Sequence, residues 1–283
     1  MTVRRVLRKQ QARQMKEGAG VTVHRAMGHL DTDLLDPFLL LDDFGSDNPE
    51  EFKAGFPWHP HRGIETVTYM LEGKVAHEDS TGGSGVIRPG EVQWMTAGSG
   101  IIHQEMPDPE EDRIRGLQLW VNLPTLRKMT DPQYRSLSEN EIPEAELDDG
   151  IRIKIIAGAV NGIKGPVEGI AVDPEYLDVE MPPNTEFNHP VNEYHTVFAY
   201  VVEGEAVFGS DQDGLGKGNL VIFTEGNQVG VKTGQEGTRF ILVSGKPLNE
   251  PIAWRGPIVM NTQEEIRTAF MEYRQGSFVK TSA

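Results

Sequence analysis

Short apolar runs rich in β-branched and aromatic residues recur along the chain and are separated by glycine-containing turns. Three of these runs are 66–71, 151–156 and 197–202. Such runs are typical of buried strands, and the dipeptides Glu72-Gly73 and Glu203-Gly204 beside two of them are typical of tight turns. The pattern therefore predicts an all-β protein built as a sandwich or barrel.

One segment near the end of the chain has helical periodicity. Thr262 and Glu265 form a capping box, in which each side chain can satisfy a free backbone N–H of the other residue. Apolar residues follow at the spacing of one helix face, and Gly276 can end the helix. We predict a C-terminal α-helix that packs on a sheet through Ile266, Ala269, Phe270 and Tyr273.

The two halves of the chain repeat one pattern. Residues 69–73 (YMLEG) match residues 200–204 (YVVEG), and a glycine-bounded segment after each copy also matches. A repeat this long indicates two copies of one domain rather than a solenoid, whose units span about 20–50 residues. Prolines and an acidic run between the halves indicate a linker with a short helix. We predict a metal-binding N-terminal domain over 1–132, a linker over 133–148, and a C-terminal domain with the terminal helix over 149–283.

Charge and cysteine content narrow the possible functions. The chain has 27 basic and 43 acidic residues, which give a net charge of −16. This charge argues against a protein that binds directly to nucleic acid or to an anionic membrane. The longest apolar runs are far shorter than the ~18 residues of a membrane-spanning helix. Cysteine is absent, which excludes disulfides, thiol nucleophiles and cysteine metal sites. Any metal would therefore be held by nitrogen and oxygen ligands, with eight histidines available.

The N-terminal segment is basic. A transit peptide can have this composition, but we favour an exposed first strand with a solvated basic edge. The segment has no apolar core of a signal peptide, and we expect a cytoplasmic location. Its basic residues are Arg4, Arg5, Arg8, Lys9, Arg13 and Lys16.

Two pairs of metal-ligand residues stand at strand spacing: His59 with His61, and His103 with Glu105. Because alternate side chains of a strand point to the same face, each pair presents both of its side chains to one side. Two such strands side by side would bring four ligands together. Three imidazoles and one carboxylate suit Fe(II), Mn, Ni, Cu or Zn, and they leave coordination positions open for water or substrate.

The second copy of the repeat keeps the framework glycines but has no ligand at the equivalent positions. Ligand residues are therefore not required by the fold, so those in the first copy are expected to serve a site. We expect no second metal at His189 and His195, solvent exposure for His77, and core packing for Trp58 and Trp94. The equivalent residues are Pro190, Asn192, Val231 and Thr233.

The motif residues resemble a known family. The segments FPxHPHRGxETVTY over residues 56–69 and GxVQWMTAGxGIIHxE over residues 90–105 are similar to the two motifs of the cupin superfamily, and in detail to those of the pirin family. The resemblance implies a bicupin of two β-sandwich or jelly-roll barrels, with one divalent metal in the first barrel. Fe(II) is the expected ion. The implied ligands are His59, His61, His103 and Glu105.

The resemblance also implies an activity. Bacterial members of the family are associated with quercetin 2,3-dioxygenase activity. We therefore expect a metal-dependent dioxygenase that cleaves flavonols such as quercetin, with a small aromatic substrate and dioxygen as its partners. Glu105 would accept the proton of the flavonol 3-hydroxyl. The general cupin pattern gives a ligand role to the glutamate at Glu65, for which we expect a structural role instead.

Two alternatives remain at this point. The animal relative is described as an iron-dependent transcriptional co-regulator, which implies a non-catalytic regulatory protein that binds a partner enzyme or transcription factor. Other cupins are metal-assisted isomerases or epimerases of small sugars. For a phosphorylated sugar, Arg62 is a lone basic candidate beside the motif.

Overall fold

In the computed structural model, which describes residues 2–280, antiparallel strands form nearly all of the regular structure. This confirms the predicted all-β class with a C-terminal helix. In chain order, the first twelve strands are β1 (Val6–Gln11), β2 (Arg13–Glu17), β3 (Val21–Met27), β4 (Phe38–Ser46), β5 (Phe56–His61), β6 (Ile64–Glu72), β7 (Val75–Asp79), β8 (Ser84–Ile87), β9 (Val92–Thr96), β10 (Ile101–Pro107), β11 (Ile114–Asn122) and β12 (Gln133–Leu137).

The second half of the chain supplies twelve more strands. Two α-helices accompany them, and among the described residues neither is both long and apolar enough to cross a membrane. The strands are β13 (Glu144–Glu146), β14 (Arg152–Ala157), β15 (Ala159–Val160), β16 (Ile163–Lys164), β17 (Glu175–Met181), β18 (Glu186–Pro190), β19 (Thr196–Phe208), β20 (Leu215–Gly216), β21 (Asn219–Phe223), β22 (Gln228–Gly245), β23 (Ala253–Arg255) and β24 (Ile258–Met260), and the helices are α1 (Thr32–Leu35) and α2 (Gln263–Gln275).

The chain divides into two compact units. The first unit comprises residues 13–30, 38–139 and those from 248 onward. It holds a seven-stranded sheet, β12-β9-β6-β11-β4-β3-β2, and a four-stranded sheet, β5-β10-β7-β8. The second unit comprises residues up to 12, 31–37 and 140–247. Its main sheet follows the path β1-β21-β19-β22-β17-β14-β13.

These units differ from the predicted ranges at both ends of the chain. Strand β1 pairs with β21 of the second unit, while β23, β24 and α2 belong to the first unit. The predicted linker over 133–148 contains two strands, β12 paired with β9 and β13 paired with β14. A sequence repeat marks where similar strands recur, but it does not reveal with which sheet the chain ends pair.

The basic N-terminal segment contains an edge strand, as predicted. Strand β1 lies at one edge of the main sheet of the second unit. Its Lys9 ammonium lies 3.4 Å from the carboxylates of Asp211 and Asp213. Arg4 is the exception, because it is only 2% exposed. Its guanidinium donates to backbone carbonyls that include Gly226 and His195, so it stabilises loops of the second unit instead of lining a solvated edge.

Each unit has its own apolar core. In the first unit, both sheets contribute to one cluster: Phe44 and Met70 come from the seven-stranded sheet, and Val75 and Ile87 come from the four-stranded sheet. This arrangement is a sandwich, in which apolar side chains of two sheets are removed from water together. The second unit buries a larger cluster that includes Phe208 and Phe240.

The terminal helix α2 has the predicted capping box. The Thr262 hydroxyl accepts the Glu265 N–H at 3.2 Å, and the Glu265 carboxylate accepts the Thr262 N–H at 2.8 Å. The helix ends at Gly276, whose φ of +72° lies in the left-handed region that favours glycine. Ile266 and Ala269 are buried against the β23–β24 hairpin, while the predicted face residue Tyr273 is 38% exposed.

The C-terminal segment is anchored on the turn that follows β5. The buried Lys128 ammonium donates to the carbonyls of Gly63 at 2.9 Å and Val259 at 3.1 Å, and to the Asn122 side chain at 2.7 Å. The Val259 N–H donates to the Arg62 carbonyl at 3.1 Å. The hairpin near the end of the chain is therefore bonded directly to the residues after His61.

This anchoring predicts the effect of adding a methyl group at Gly63. A Cβ at Gly63, where φ is +77°, would collide with the Val259 carbonyl, whereas one at Gly82, where φ is +90°, meets nothing within 4 Å. We expect Gly82→Ala to lower the free energy of unfolding by about 1–2 kcal/mol through backbone strain. Gly63→Ala should lower it by at least about 2 kcal/mol more through overpacking.

Urea unfolding followed by tryptophan fluorescence measures this difference, because all four tryptophans lie in the first unit. Equal losses in the two variants would contradict the proposed role of the contact.

Candidate metal centre

Antiparallel pairing of β5 with β10 brings three histidines together. His103 lies opposite His59 in the register of these strands, and His61 follows His59 on the same face. The ring centroids of His59 and His103 are 4.3 Å apart, and those of His61 and His103 are 5.0 Å apart. The potential ligand atoms of all three lie within 4.8 Å of one another. The structure therefore brings the three sequence-predicted imidazoles into one cluster.

Their ring nitrogens are oriented by hydrogen bonds. Nδ1 of His59 lies 2.9 Å from the Pro57 carbonyl, and Nδ1 of His61 lies 3.1 Å from the Pro257 carbonyl. A carbonyl accepts only, so each Nδ1 must carry its hydrogen, and in the neutral ring Nε2 is then a free acceptor. The two Nε2 atoms face each other at 3.1 Å.

Nε2 of His103 completes the arrangement. It is buried and has no hydrogen-bond partner among residues 2–280. The Nε2 lone pairs of His59 and His61, which lie 3.1 Å apart, repel each other unless a positive charge lies between them. This nitrogen–nitrogen distance also suits two nitrogens that bind the same ion, each at about 2.1 Å. The donor set therefore fits a metal ion.

Burial keeps these rings neutral. Desolvation lowers the pKa of His61 and His103 well below the ordinary imidazole value, and neighbouring imidazoles add to the effect. Burial also lowers the pKa of His59. Neutral imidazole is the form that binds a metal, so no proton has to be removed first near neutral pH.

Glu105 lies on β10 beyond an irregularity in the β5–β10 register that separates it from His103. One of its carboxylate oxygens lies within 4.8 Å of ring nitrogens of His77 and His103. It accepts hydrogen bonds from the Thr68 hydroxyl at 2.9 Å and from the Gln118 amide at 3.3 Å. Burial raises the pKa of Glu105 to about 6, although both hydrogen bonds oppose the shift.

His77 is buried, and the prediction of solvent exposure was wrong. It is 1% exposed and lies on β7, where it pairs with Glu105 in the register with β10. Burial alternates along β7, with Val75, His77 and Asp79 on the inner side. The apolar Val75 at the start of this alternation is the sequence feature that could have placed His77 inside.

A cavity of about 680 Å³ in the first unit opens beside the histidines. Its lining includes His59, His61, Glu105 and Gln118 together with several aromatic side chains. A row of rings leads away from His61: Trp120 at 5.0 Å, Trp254 at 5.9 Å from Trp120, and His29 at 5.3 Å from Trp254, measured between centroids. The cavity is therefore polar at the histidine cluster and aromatic along one wall.

Comparison with known proteins identifies the family. The pirin family model matches residues 20–121, and the model of the pirin C-terminal cupin domain matches residues 176–279. The chain belongs to the pirin family. A pirin-like protein of Caulobacter vibrioides is 43% identical over 98% of this chain and 100% of its own length. Human pirin is 42% identical over 93% of this chain and 90% of its own length.

The similarity extends to a solved structure. The crystal structure of quercetin 2,3-dioxygenase from Acinetobacter baumannii is 35% identical, with a TM-score of 0.89 and 98% of each chain covered. The predicted pirin family and bicupin fold are thus confirmed.

Other predicted residues lie outside the histidine cluster. Glu65 is buried and accepts hydrogen bonds from Trp94 Nε1 at 3.1 Å and the Thr96 hydroxyl at 2.8 Å, so its carboxylate holds neighbouring strands. Trp94 is 1% exposed and packs in the core as predicted, whereas Trp58 is 49% exposed and the core prediction for it was wrong. Burial raises the pKa of Glu65.

The second unit contains no comparable cluster among its described residues. His189 is bonded to the Glu175 carboxylate at 2.9 Å, which is a histidine–carboxylate pair and not a three-ligand group. His195 is buried.

Two threonines on β6 test the support of Glu105. Thr68→Val removes a donor to a buried carboxylate, so we expect the free energy of unfolding to fall by about 1–3 kcal/mol. Thr66→Val is the matched control, because Thr66 is equally buried and its hydroxyl has no hydrogen-bond partner. Urea unfolding of metal-free protein at pH 7.5, followed by tryptophan fluorescence, should give no loss for Thr66→Val. Equal losses would show that Thr68 does not stabilise the carboxylate.

Proposed function

We propose that this protein is a metal-dependent dioxygenase that cleaves flavonols such as quercetin. The observation that carries the proposal is the convergence of three imidazole acceptor atoms, two of which belong to His59 and His61 in the wall of an aromatic-lined cavity. The similarity to the Acinetobacter baumannii quercetin 2,3-dioxygenase supports the same activity. The proposed metal ligands are His59, His61, His103 and Glu105.

Fe(II) is the proposed ion, and the same nitrogen and oxygen donors also suit Mn, Ni, Cu or Zn. A bound ion of this kind lowers the pKa of a coordinated hydroxyl and places the substrate beside dioxygen. Neutral imidazoles supply no charge, so Glu105 is the ligand that partly neutralises a divalent ion.

The cavity supports a flat aromatic substrate. Its volume of about 680 Å³ falls within the range of small-molecule sites. Trp120 and Trp254 line the cavity and offer aromatic surface to a planar polycyclic molecule, for which offset or tilted ring contacts are favoured. Gln118 and Glu105 lie at the polar end, where a hydroxyl or carbonyl group of the substrate would face the histidines.

Glu105 is the proposed base. In the metal-free protein, burial raises the pKa of Glu105 to about 6, near the operating pH that suits a general base. Glu105 would accept the proton of the flavonol 3-hydroxyl, while Thr68 and Gln118 keep its oxygens in place. The overall reaction, flavonol plus dioxygen to a depside plus carbon monoxide, requires no further co-reactant.

The sugar-phosphate alternative loses the residue on which it depended. Arg62 is 2% exposed and does not line the cavity. Its guanidinium forms an ion pair with Glu272 at 2.7 Å and donates to the Phe278 carbonyl at 2.9 Å. The Arg62 guanidinium thus holds the terminal helix and the residues after it, and it is not available to bind a phosphate.

Metal content and flavonol turnover test the proposal. Protein loaded anaerobically with Fe(II) should bind one equivalent per chain. It should then consume oxygen and bleach the flavonol absorbance in equal amounts. His61→Ala should lose the metal and the turnover, whereas His24→Ala should keep both, because His24 is an imidazole of the same unit that does not line the cavity.

Glu105→Gln separates the base from the rest of the site. Its side chain keeps the size of glutamate but cannot take a proton, so we expect turnover to fall about 10²–10⁴-fold. One bound metal with no turnover under Fe(II), Mn, Ni or Cu would refute the oxygenase and leave the regulatory alternative. Turnover that survives His61→Ala would remove the histidine cluster from the mechanism.

A further inference from the structure

The third imidazole of the cluster is oriented differently from the other two. His59 and His61 are bonded to the backbone carbonyls of Pro57 and Pro257. Nδ1 of His103 instead lies 3.5 Å from Nδ1 of His77. An imidazole nitrogen can accept or donate, so this contact alone does not determine which nitrogen of His103 carries the hydrogen.

Asp79 determines the direction of the contact. Its Oδ2 lies 3.3 Å from Nε2 of His77, and both side chains are completely buried. Its Oδ1 accepts the N–H groups of Thr81 at 2.7 Å and Gly83 at 3.2 Å. A carboxylate that receives such donors is an acceptor only, so Nε2 of His77 has to carry a hydrogen.

The remaining hydrogens follow in sequence. With its hydrogen on Nε2, neutral His77 presents the lone pair of Nδ1 to His103. His103 then donates its Nδ1 hydrogen, and its Nε2 is left as a free acceptor. This is the nitrogen that is buried without a partner in the protein. One ionised carboxylate thus selects the tautomer of two successive rings.

Strand pairing fixes the geometry of this chain of residues. In the β7–β10 register, His103 lies opposite Asp79, and Glu105 lies opposite His77. The ring of Tyr134 packs on His77 at 5.0 Å between centroids and prevents it from turning away. The Tyr134 hydroxyl in turn accepts the Gln93 amide at 2.7 Å.

We propose that Asp79 and His77 are positioning residues that hold His103 in the tautomer with a free Nε2, ready to bind the metal. The proposal rests on the metal site of the proposed function. The two have different consequences, since the tautomer exists in the metal-free protein. Partners of this kind beyond the ligands typically change metal affinity by about 10–100-fold.

Asp79→Asn gives the sharpest test. The asparagine oxygen can still accept from Thr81 and Gly83, which leaves the amide to donate to Nε2 of His77. His77 would then carry its hydrogen on Nδ1 and donate to His103. The hydrogen of His103 would move to Nε2, where it blocks the ligand position. Glu78→Gln is the matched control, because it removes the same charge from the exposed side of the same strand.

Histidine tautomers are read by long-range ¹H–¹⁵N NMR of metal-free protein labelled at histidine. We expect Nδ1–H at His103 in the wild type and in Glu78→Gln, and Nε2–H in Asp79→Asn, with His59 and His61 unchanged. Zn(II) affinity, measured by competition with a chromophoric chelator, should fall about 10–100-fold in Asp79→Asn only. A merely structural role for Asp79 would not move the hydrogen at one ring alone.

A second pair of variants tests His77 itself. His77→Phe keeps a ring against Tyr134 but offers no acceptor, so Zn(II) affinity should fall, while His77→Asn offers an amide oxygen and should restore part of it. An unchanged tautomer in Asp79→Asn, or wild-type affinity in His77→Phe, would overturn the proposal. Two Zn(II) equivalents in the wild type and one in His77→Phe would overturn it too, because His77, His103 and Glu105 would then bind an ion of their own.

If the wild type binds no metal but has the expected tautomers, the proposed function fails and the assignment of Asp79 and His77 stands.

Discussion

The pairing of β5 with β10 is the constraint on which the candidate metal centre depends. It places His103 opposite His59, and the alternation of side chains along β5 then brings His61 to the same face. A slip of one residue would turn each histidine to the other face of the sheet, because side chains alternate with a period of two. The apolar core between the two sheets of the first unit resists such a slip, since it would expose buried side chains to water.

Residues near the end of the chain also position the histidines. The Pro257 carbonyl orients His61. The Lys128 ammonium donates both to the β23–β24 hairpin and to Gly63, which lies two residues after His61. Arg62, between them, is bonded to the terminal helix. A segment about 200 residues distant in sequence thus sets the orientation of a proposed ligand, so the arrangement of the histidines depends on both ends of the first unit.

The sequence predicts the parts of the structure that depend on local periodicity. Alternation identified His59, His61 and His103, and a capping box identified α2. Residues whose burial depends on distant strands were placed wrongly. His77 is buried because β7 pairs with β10. Arg4 is buried because the segment that leads into β1 pairs with the second unit. A run of polar residues looks the same whether its strand lies at an edge or beneath another sheet, so the pairing decides the burial of Arg4. For His77, the alternation that starts at Val75 was the one available signal.

Glu105 has a place in the site that simple alternation does not describe. The β5–β10 register shifts between His103 and Glu105, and a Glu105 carboxylate oxygen lies within 4.8 Å of ring nitrogens of His77 and His103. The imidazoles are supported by the four-stranded sheet and the chain end, whereas Glu105 is held by Thr68 and Gln118 of the seven-stranded sheet. The hydrogen bonds that hold its carboxylate are therefore independent of the histidine side chains. A carboxylate held in this way can keep its position whether it shares a metal ion or carries a proton, and a residue proposed both as ligand and as base requires this independence.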